Sequence, residues 1–247
     1  MAKILLIAGH GNGDSGAVGC GFKEADLTRE MVRLISNKLL PCATVDIADT
    51  SKNWFDYVCK KGGSLITKGY DYALEIHFNA CVNDTKGNGI TTGTEIYVTT
   101  SEKGTSVEQA IVDNIAVLGL KNRGVKRYNW GLINYIKKQG VSSALLETCF
   151  IDDADDMKIY TAKKDKIAEA VAKGIIDGFK LKKEGGNVSV ERFTDIKGNF
   201  AESQINEIVD MGIMQGTGNN KFEPNEPLTR AQVAVVARNI IKYITGK

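Results

Sequence analysis

From Ile4 to Ala8 the chain places five consecutive apolar residues, with a glycine-rich segment directly behind them. A strand with one wet face alternates apolar and polar residues. An unbroken apolar run of this length reads instead as a parallel strand covered on both faces. Ser142–Glu147 reads as another buried strand, and Thr44–Ala48, Tyr72–His77 and Thr94–Thr99 read as further strands. Between them lie segments of helical period. Glu24–Leu40 carries Leu27, Met31, Leu34, Ile35 and Leu39 on one face and is closed by Pro41. Ser106–Leu118 and Ala162–Leu181 are also helical. Strands alternating with helices predict an α/β fold, a mostly parallel sheet flanked by helices, over residues 1–181. Residues 182–192 are charged, contain Gly185 and Gly186, and read as a linker. Residues 193–247 read as a small helical C-terminal module, helix, turn-rich loop, helix.

Composition narrows the function classes. The net charge of +2 is no electrostatic footprint for nucleic acid, and the lysines read as solvated surface. The first apolar run is too short for a signal-peptide core or a membrane span, and no later stretch spans a membrane. The expectation is a protein made in the cytoplasm without its own export signal and without membrane insertion. The five cysteines are odd in number and form no C-x-x-C pair, so they read as reduced packing thiols.

The chain has only two histidines, His10 just after the first strand and His77 at the end of the third. The carboxyl ends of strands line the functional crevice of α/β sheets. Glu147 ends another strand, and Glu24 opens the first helix at the same rim. Two imidazoles and a carboxylate with an open position form the ligand set of a catalytic zinc, leaving the other carboxylate as a general base. Spacing alone leaves ordinary hydrogen-bonded roles for these residues equally open. The loop Gly11-Asn12-Gly13-Asp14-Ser15-Gly16 matches the dinucleotide fingerprint literally. In that fingerprint the helix starts inside the glycines and its N-terminus holds the pyrophosphate. Here Gly19 and Gly21 keep the chain irregular to about Phe22, and the acidic residues Asp46 and Asp49 come too late, so dinucleotide binding is set aside.

These residues also carry a family resemblance. Gly9-His10-Gly11, Asp14-Ser15-Gly16-Ala17 and Gly21-Phe22-Lys23-Glu24 resemble the first metal motif of the zinc-dependent N-acetylmuramoyl-L-alanine amidases. Leu74 to Ala80 resembles their His-x-Asn strand, Gly93-Thr94-Glu95 with Tyr97 the strand beyond it, and Ala144 to Ile151 with Asp156 the catalytic-glutamate motif. The resemblance implies that His10, Glu24 and His77 hold Zn2+, that Glu147 is catalytic, and that the substrate is peptidoglycan, cut between muramic acid and L-alanine. Asn79 is then expected to hold substrate or to support the site. Glu75 stands where the family usually has a small or hydroxylic residue. By strand alternation it shares a face with His77, where it would meet metal or substrate, or pair with a rim lysine. The family's usual Thr-Arg pattern is not found between Asp49 and Lys68.

Phe193-Thr194-Asp195-Ile196, Gly212-Ile213, Phe222-Glu223-Pro224-Asn225 and Leu228 to Gln232 resemble one S-layer homology repeat. Gln232 stands where its last motif commonly has Glu. The resemblance implies binding to secondary cell-wall polysaccharide, with Arg230 pairing an acidic group of the glycan, or else merely serving its own helix. Such repeats usually pack in threes, and this chain has one. The helix Arg230–Ile244 carries more apolar surface than one partner helix covers, so the module is expected to self-associate into a homo-oligomer or to dock on the preceding domain. The reading that emerges is a phage endolysin of a Gram-positive host. The alternatives are a host autolysin of the same chemistry and a catalytically inactive wall-binding protein.

Overall fold

A computed structural model describes residues 1–40, 42–182, 193–218 and 220–245. The chain divides into two compact units, Met1–Glu184 and Gly185–Lys247. Pro41 and all but the first residue of the 182–192 linker lie outside the described residues.

The first unit runs β1 (Lys3–Ala8), a small hairpin of β2 (Val18–Gly19) and β3 (Phe22–Lys23), α1 (Glu24–Leu39), β4 (Thr44–Ile47), and a π-helical turn at Asp56–Lys60. It continues with β5 (Tyr72–Asn79), β6 (Thr94–Val98), α2 (Ser106–Ala116), β7 (Asn122–Arg127), α3 (Gly131–Lys138), β8 (Ser142–Phe150) and α4 (Ala154–Gly178). The main sheet has the order β4-β1-β5-β8-β6-β7. All its pairings are parallel except β6 with β8. From β1 the chain first steps outward to β4 and then returns to the other side of β1 as β5. The order reverses between β1 and β5, and crevices form at the carboxyl ends of strands at such a reversal.

One face of the sheet carries Ile4, Leu6, Leu74, Ile76, Leu146, Ile96 and Val98 into the larger core, which α1, α2 and α4 cover. The other face carries Leu5, Ile7 and Ala73 beneath Trp54, Val58, Leu132 and Ile136. These come from the segment around the π-helical turn and from α3. That smaller cover seals the amino-terminal half of the second face, and the strands' carboxyl ends on the same face carry the polar residues described below.

Several elements differ from the reading of the sequence. The strand β7 and helix α3 were not anticipated. β7 is a polar edge strand with no buried residue, so it has no apolar run to detect. The last helix of this unit begins at Ala154 rather than Ala162. It bends at Lys163 (φ −134°, ψ 17°), and the regular apolar period lies beyond that bend. Its first turns are started by Asp153, whose carboxylate accepts from the Asp155 and Asp156 amides. The segment 49–68 supplies Trp54, Val58 and Leu65 to the second core.

The second unit holds α5 (Glu202–Asp210) and α6 (Arg230–Thr245). Phe193, Ile196 and Ile205 form its small core, with the Phe193 and Phe222 rings 5.3 Å apart. The Asp195 carboxylate accepts from the Phe222 and Glu223 amides and ties the loop back to the unit's start. Gln232 accepts from the Thr229 amide and hydroxyl while Thr229 Oγ1 accepts from the Gln232 amide, a reciprocal cap in which glutamine serves as glutamate would. Val233, Val235, Ile240, Ile241 and Ile244 are exposed along α6.

Helix α4 lies against α2 at Gly174, where a Cβ would fall 2.6 Å from Ile111 Cγ1 and 2.8 Å from the Ile111 amide nitrogen. Alanine gains about 1 kcal/mol in helix propensity, but overpacking a fitted contact costs about 1–3 kcal/mol. Gly174→Ala is therefore expected to lower the urea midpoint; an unchanged or higher midpoint contradicts this packing.

Candidate active site

Four elements deliver the candidate residues to one place. His10 follows β1 in a left-handed conformation (φ 59°), which costs energy for a residue with a Cβ. Arg29 on α1 holds it there: Nη2 donates to the His10 carbonyl at 2.9 Å, Nη1 to Gly9 at 3.0 Å, and Nε to Thr50 at 3.0 Å. Asp14 fixes the ring, with Oδ2 2.9 Å from His10 Nδ1, and Asn53 in turn donates to Asp14. A Cβ at Gly9 would overlap the His77 ring, so a bare backbone is required where the two ligand-bearing segments meet.

Glu24, 3% exposed, is the hub. Oε1 accepts from the Phe78 amide at 2.9 Å and faces His77 Nδ1 at 2.9 Å. Oε2 accepts from the Ala17 amide at 2.9 Å and faces His10 Nε2 at 3.1 Å. Burial disfavours its charge, but the hydrogen bonds from His10 and His77 win and hold the carboxyl far below the usual carboxylate range. Burial likewise lowers the proton affinity of His77, and the opposing bonds to Glu24 and Glu75 raise it well above the ordinary imidazole value.

The other ring nitrogen, His77 Nε2, lies 3.1 Å from Glu75 Oε1. Glu75 is 4% exposed and pairs with no lysine among the described residues, so the rim salt bridge is corrected to a buried contact with the imidazole. Each histidine thus has one nitrogen aimed at Glu24 and the other engaged by a carboxylate. Carboxylates in that second position orient metal-binding imidazoles. Asn79 does not face the centre of this group: its Nδ2 donates to Glu95 at 2.9 Å. The β5–β8 register shifts between His77 and Asn79, an irregularity of the kind that re-aims side chains near functional sites.

Strand register places Glu147 between His77 on β5 and Glu95 on β6. Its Oε2 is buried and has no hydrogen-bond partner. Burial, reinforced by the charges of Glu24, Glu95 and Glu75 against the opposing His77, pushes the carboxyl up to about 7. Glu95 is 1% exposed and is neutralised by Arg123 and Lys126, while Tyr97 donates to it at 2.9 Å. Arg29, Asp14, Arg123 and Lys126 were not assigned roles from the sequence. Asp14 stood inside the quoted motif, and the two cations sit on the unanticipated β7.

Donor atoms of His10, Glu24 and His77 lie within 4.8 Å of one another. Two imidazoles and a carboxylate converging at one rim fit zinc, and the unpartnered Glu147 oxygen beside them fits a base that acts on water. Arg230, in the second unit, is remote in sequence from all of these. It is exposed and makes no ion pair among the described residues.

Comparison with known proteins agrees with this architecture. The family described as N-acetylmuramoyl-L-alanine amidase matches residues 4–177, and the S-layer homology domain matches residues 192–234. The chain is 30% identical over 183 residues to the N-acetylmuramoyl-L-alanine amidase LytC of Bacillus subtilis, covering 72% of this chain and 35% of that one. It is 30% identical over 199 residues to the endolysin of Bacillus phage SPP1, covering 75% of this chain and 69% of that one. The catalytic domain of the amidase CwlV from Bacillus (Paenibacillus) polymyxa has the same fold, with a TM-score of 0.57 at 20% identity, over 74% of this chain and all (100%) of that one.

The position of Glu147 has a stability consequence. Its folded value of about 7 lies above the ordinary 4.5. The unfolded state therefore releases this proton at lower pH, and the metal-free protein loses stability as pH rises from about 4.5 through about 7. Glu147→Gln is expected to raise the melting temperature of metal-free protein at pH 8 and to give little gain at pH 5. An equal gain at both pH values contradicts the buried-carboxyl account.

Proposed function

The chain belongs to the N-acetylmuramoyl-L-alanine amidase family, and from that premise we propose that it is a zinc-dependent hydrolase of peptidoglycan, cutting the amide between the muramic acid lactyl group and L-alanine. The observation that carries the reading is the convergence of His10, Glu24 and His77 beside Glu147. His10, Glu24 and His77 hold the metal, which when bound supplies Lewis acidity toward the scissile carbonyl and the attacking water. Glu147, whose buried Oε2 has no hydrogen-bond partner, takes the water's proton and passes it to the leaving amine. Asp14 and Glu75 keep the imidazoles turned toward Glu24, and Arg29 keeps His10 in its strained conformation. The complete set disfavours a catalytically inactive wall-binding protein.

The C-terminal unit anchors the enzyme to secondary cell-wall polysaccharide, with the exposed Arg230 guanidinium available to an acidic sugar substituent. This reading is supported by the S-layer homology match. The protein is read as a phage endolysin with a host autolysin as the alternative, and relatives of both kinds match over most of this chain. On the endolysin reading, the protein accumulates in the cytosolic fraction and reaches the wall at lysis; steady release from intact cells would mark an autolysin.

Purified Gram-positive walls test the chemistry. Chelation is expected to abolish clearing and zinc to restore it. Soluble products should carry new L-alanine amino termini and no new reducing ends, and Glu147→Gln should slow turnover about 10²- to 10⁴-fold. On the same walls Arg230→Ala should co-sediment less. Full-rate lysis by metal-free protein, or reducing ends appearing in step with clearing, contradicts the assignment.

The apolar residues exposed along α6 also support self-association through this unit, which would strengthen weak glycan contacts by avidity. Light scattering is expected to show an oligomer for the full chain and a monomer for residues 1–184. A monomeric full chain at micromolar concentrations contradicts it.

A further inference from the structure

A surface of aromatic rings adjoins Glu147 on the side away from His77. Glu95 is the register partner of Glu147, and Tyr97, two residues along β6, is bonded to Glu95 through its hydroxyl at 2.9 Å. Trp130 meets the Tyr97 ring edge-on, with centroids 5.8 Å apart and planes at 82°. Tyr128 lies against Trp130 at 4.7 Å and 58°. Tyr97 lies opposite Leu145, two residues back along β8 from Glu147, and the outer rings reach solvent: Tyr128 is 55% exposed and Trp130 43%.

The rings are held, not loose. The Tyr128 amide donates to the Val98 carbonyl at 2.9 Å, and the Trp130 amide to the Tyr128 carbonyl at 3.0 Å. Asn129, between them, accepts from the Thr100 amide at 2.9 Å and donates to the Thr100 hydroxyl at 3.0 Å. Lys126 stands 5.5 Å from the Tyr97 centroid, and its ammonium is already paired with Glu95. Large rings fixed in contact with one another and open to water form a ready-made apolar platform.

We propose that Tyr97, Trp130 and Tyr128 form the subsite for the glycan strand of the substrate, stacking the pyranose rings of N-acetylated sugars. This rests on the amidase reading. The bond cut there joins a sugar substituent to a peptide, so one side of Glu147 must accommodate saccharide. The metal-binding group occupies the β5 and β1 side, and the ring row occupies the β6 and β7 side. A pyranose offers an apolar C–H face that matches the electron-rich face of an indole or phenol, with a polar edge left to water. A peptide stem of charged and small residues has no comparable flat apolar face.

The full chain can report this binding directly. It has two tryptophans, both in the first unit, and Trp54 is 8% exposed, so quenching by acrylamide reads mainly Trp130. The probe is peptide-free strands of alternating N-acetylglucosamine and N-acetylmuramic acid, which contain no scissile amide. They are expected to protect Trp130 saturably, and Tyr128→Ala should weaken that protection about tenfold. Trp130→Ala should raise KM on glycan-bearing wall fragments by about tenfold. Hydrolysis of walls with no protection of Trp130 by the strands overturns the subsite while leaving the amidase reading intact. Protection by sugar-free stem peptide instead of strands also overturns it. Protection by the strands without any wall hydrolysis supports the subsite and sinks the amidase reading.

Discussion

The buried carboxylate of Glu24 is the interaction on which the first unit's functional end depends. Its two oxygens face both histidines and accept from the Ala17 and Phe78 amides. One side chain at the first position of α1 therefore joins the loop after β1, the end of β5 and the helix itself. A buried carboxylate must find charge-assisted partners or be neutralised. Here the partners are the groups a divalent cation would engage, so the same arrangement that satisfies Glu24 gathers the donor set.

Glu147 shows the opposite environment a few ångströms of register away. It forms no ion pair among the described residues and has one orphaned oxygen, and in the metal-free protein its burial pushes the carboxyl up to about 7. Two glutamates whose surroundings push their proton affinities in opposite directions divide into a ligand and an acid–base group. The division follows from strand order. Glu24 comes to the reversal between β1 and β5, where two histidines converge, whereas Glu147 sits between His77 and a Glu95 already neutralised by Arg123 and Lys126.

Much of this was legible from residue order because the central strands β1, β5 and β8 are rich in buried apolar residues and carry the polar residues that matter at or just beyond their carboxyl ends. His10, Glu24, His77 and Glu147 were named from strand and helix ends, and the structure brings them together. What was not legible lacked an apolar period or depended on three-dimensional neighbours. β7 has no buried residue, so the cations that neutralise Glu95 were missed with it. Arg29 lies on the helix Glu24–Leu39, where nothing local distinguishes an arginine reaching the carbonyls of Gly9 and His10 from a solvated one. Alternation correctly put Glu75 on the face of His77, but only the structure shows that it meets the imidazole. In the second unit, Gln232 looked like a departure by residue type and proves to close the same reciprocal cap.

The central claim is that His10, Glu24 and His77 form one metal-binding group beside Glu147. Anomalous scattering recorded on either side of the zinc absorption edge, from crystals of the zinc-loaded full chain, tests it most directly. The account predicts a single strong peak bounded by those three side chains, present only above the edge and lost in His77→Ala. A zinc-loaded crystal whose anomalous density lies elsewhere, or whose His10, Glu24 and His77 contacts close on one another with no peak between them, would contradict it.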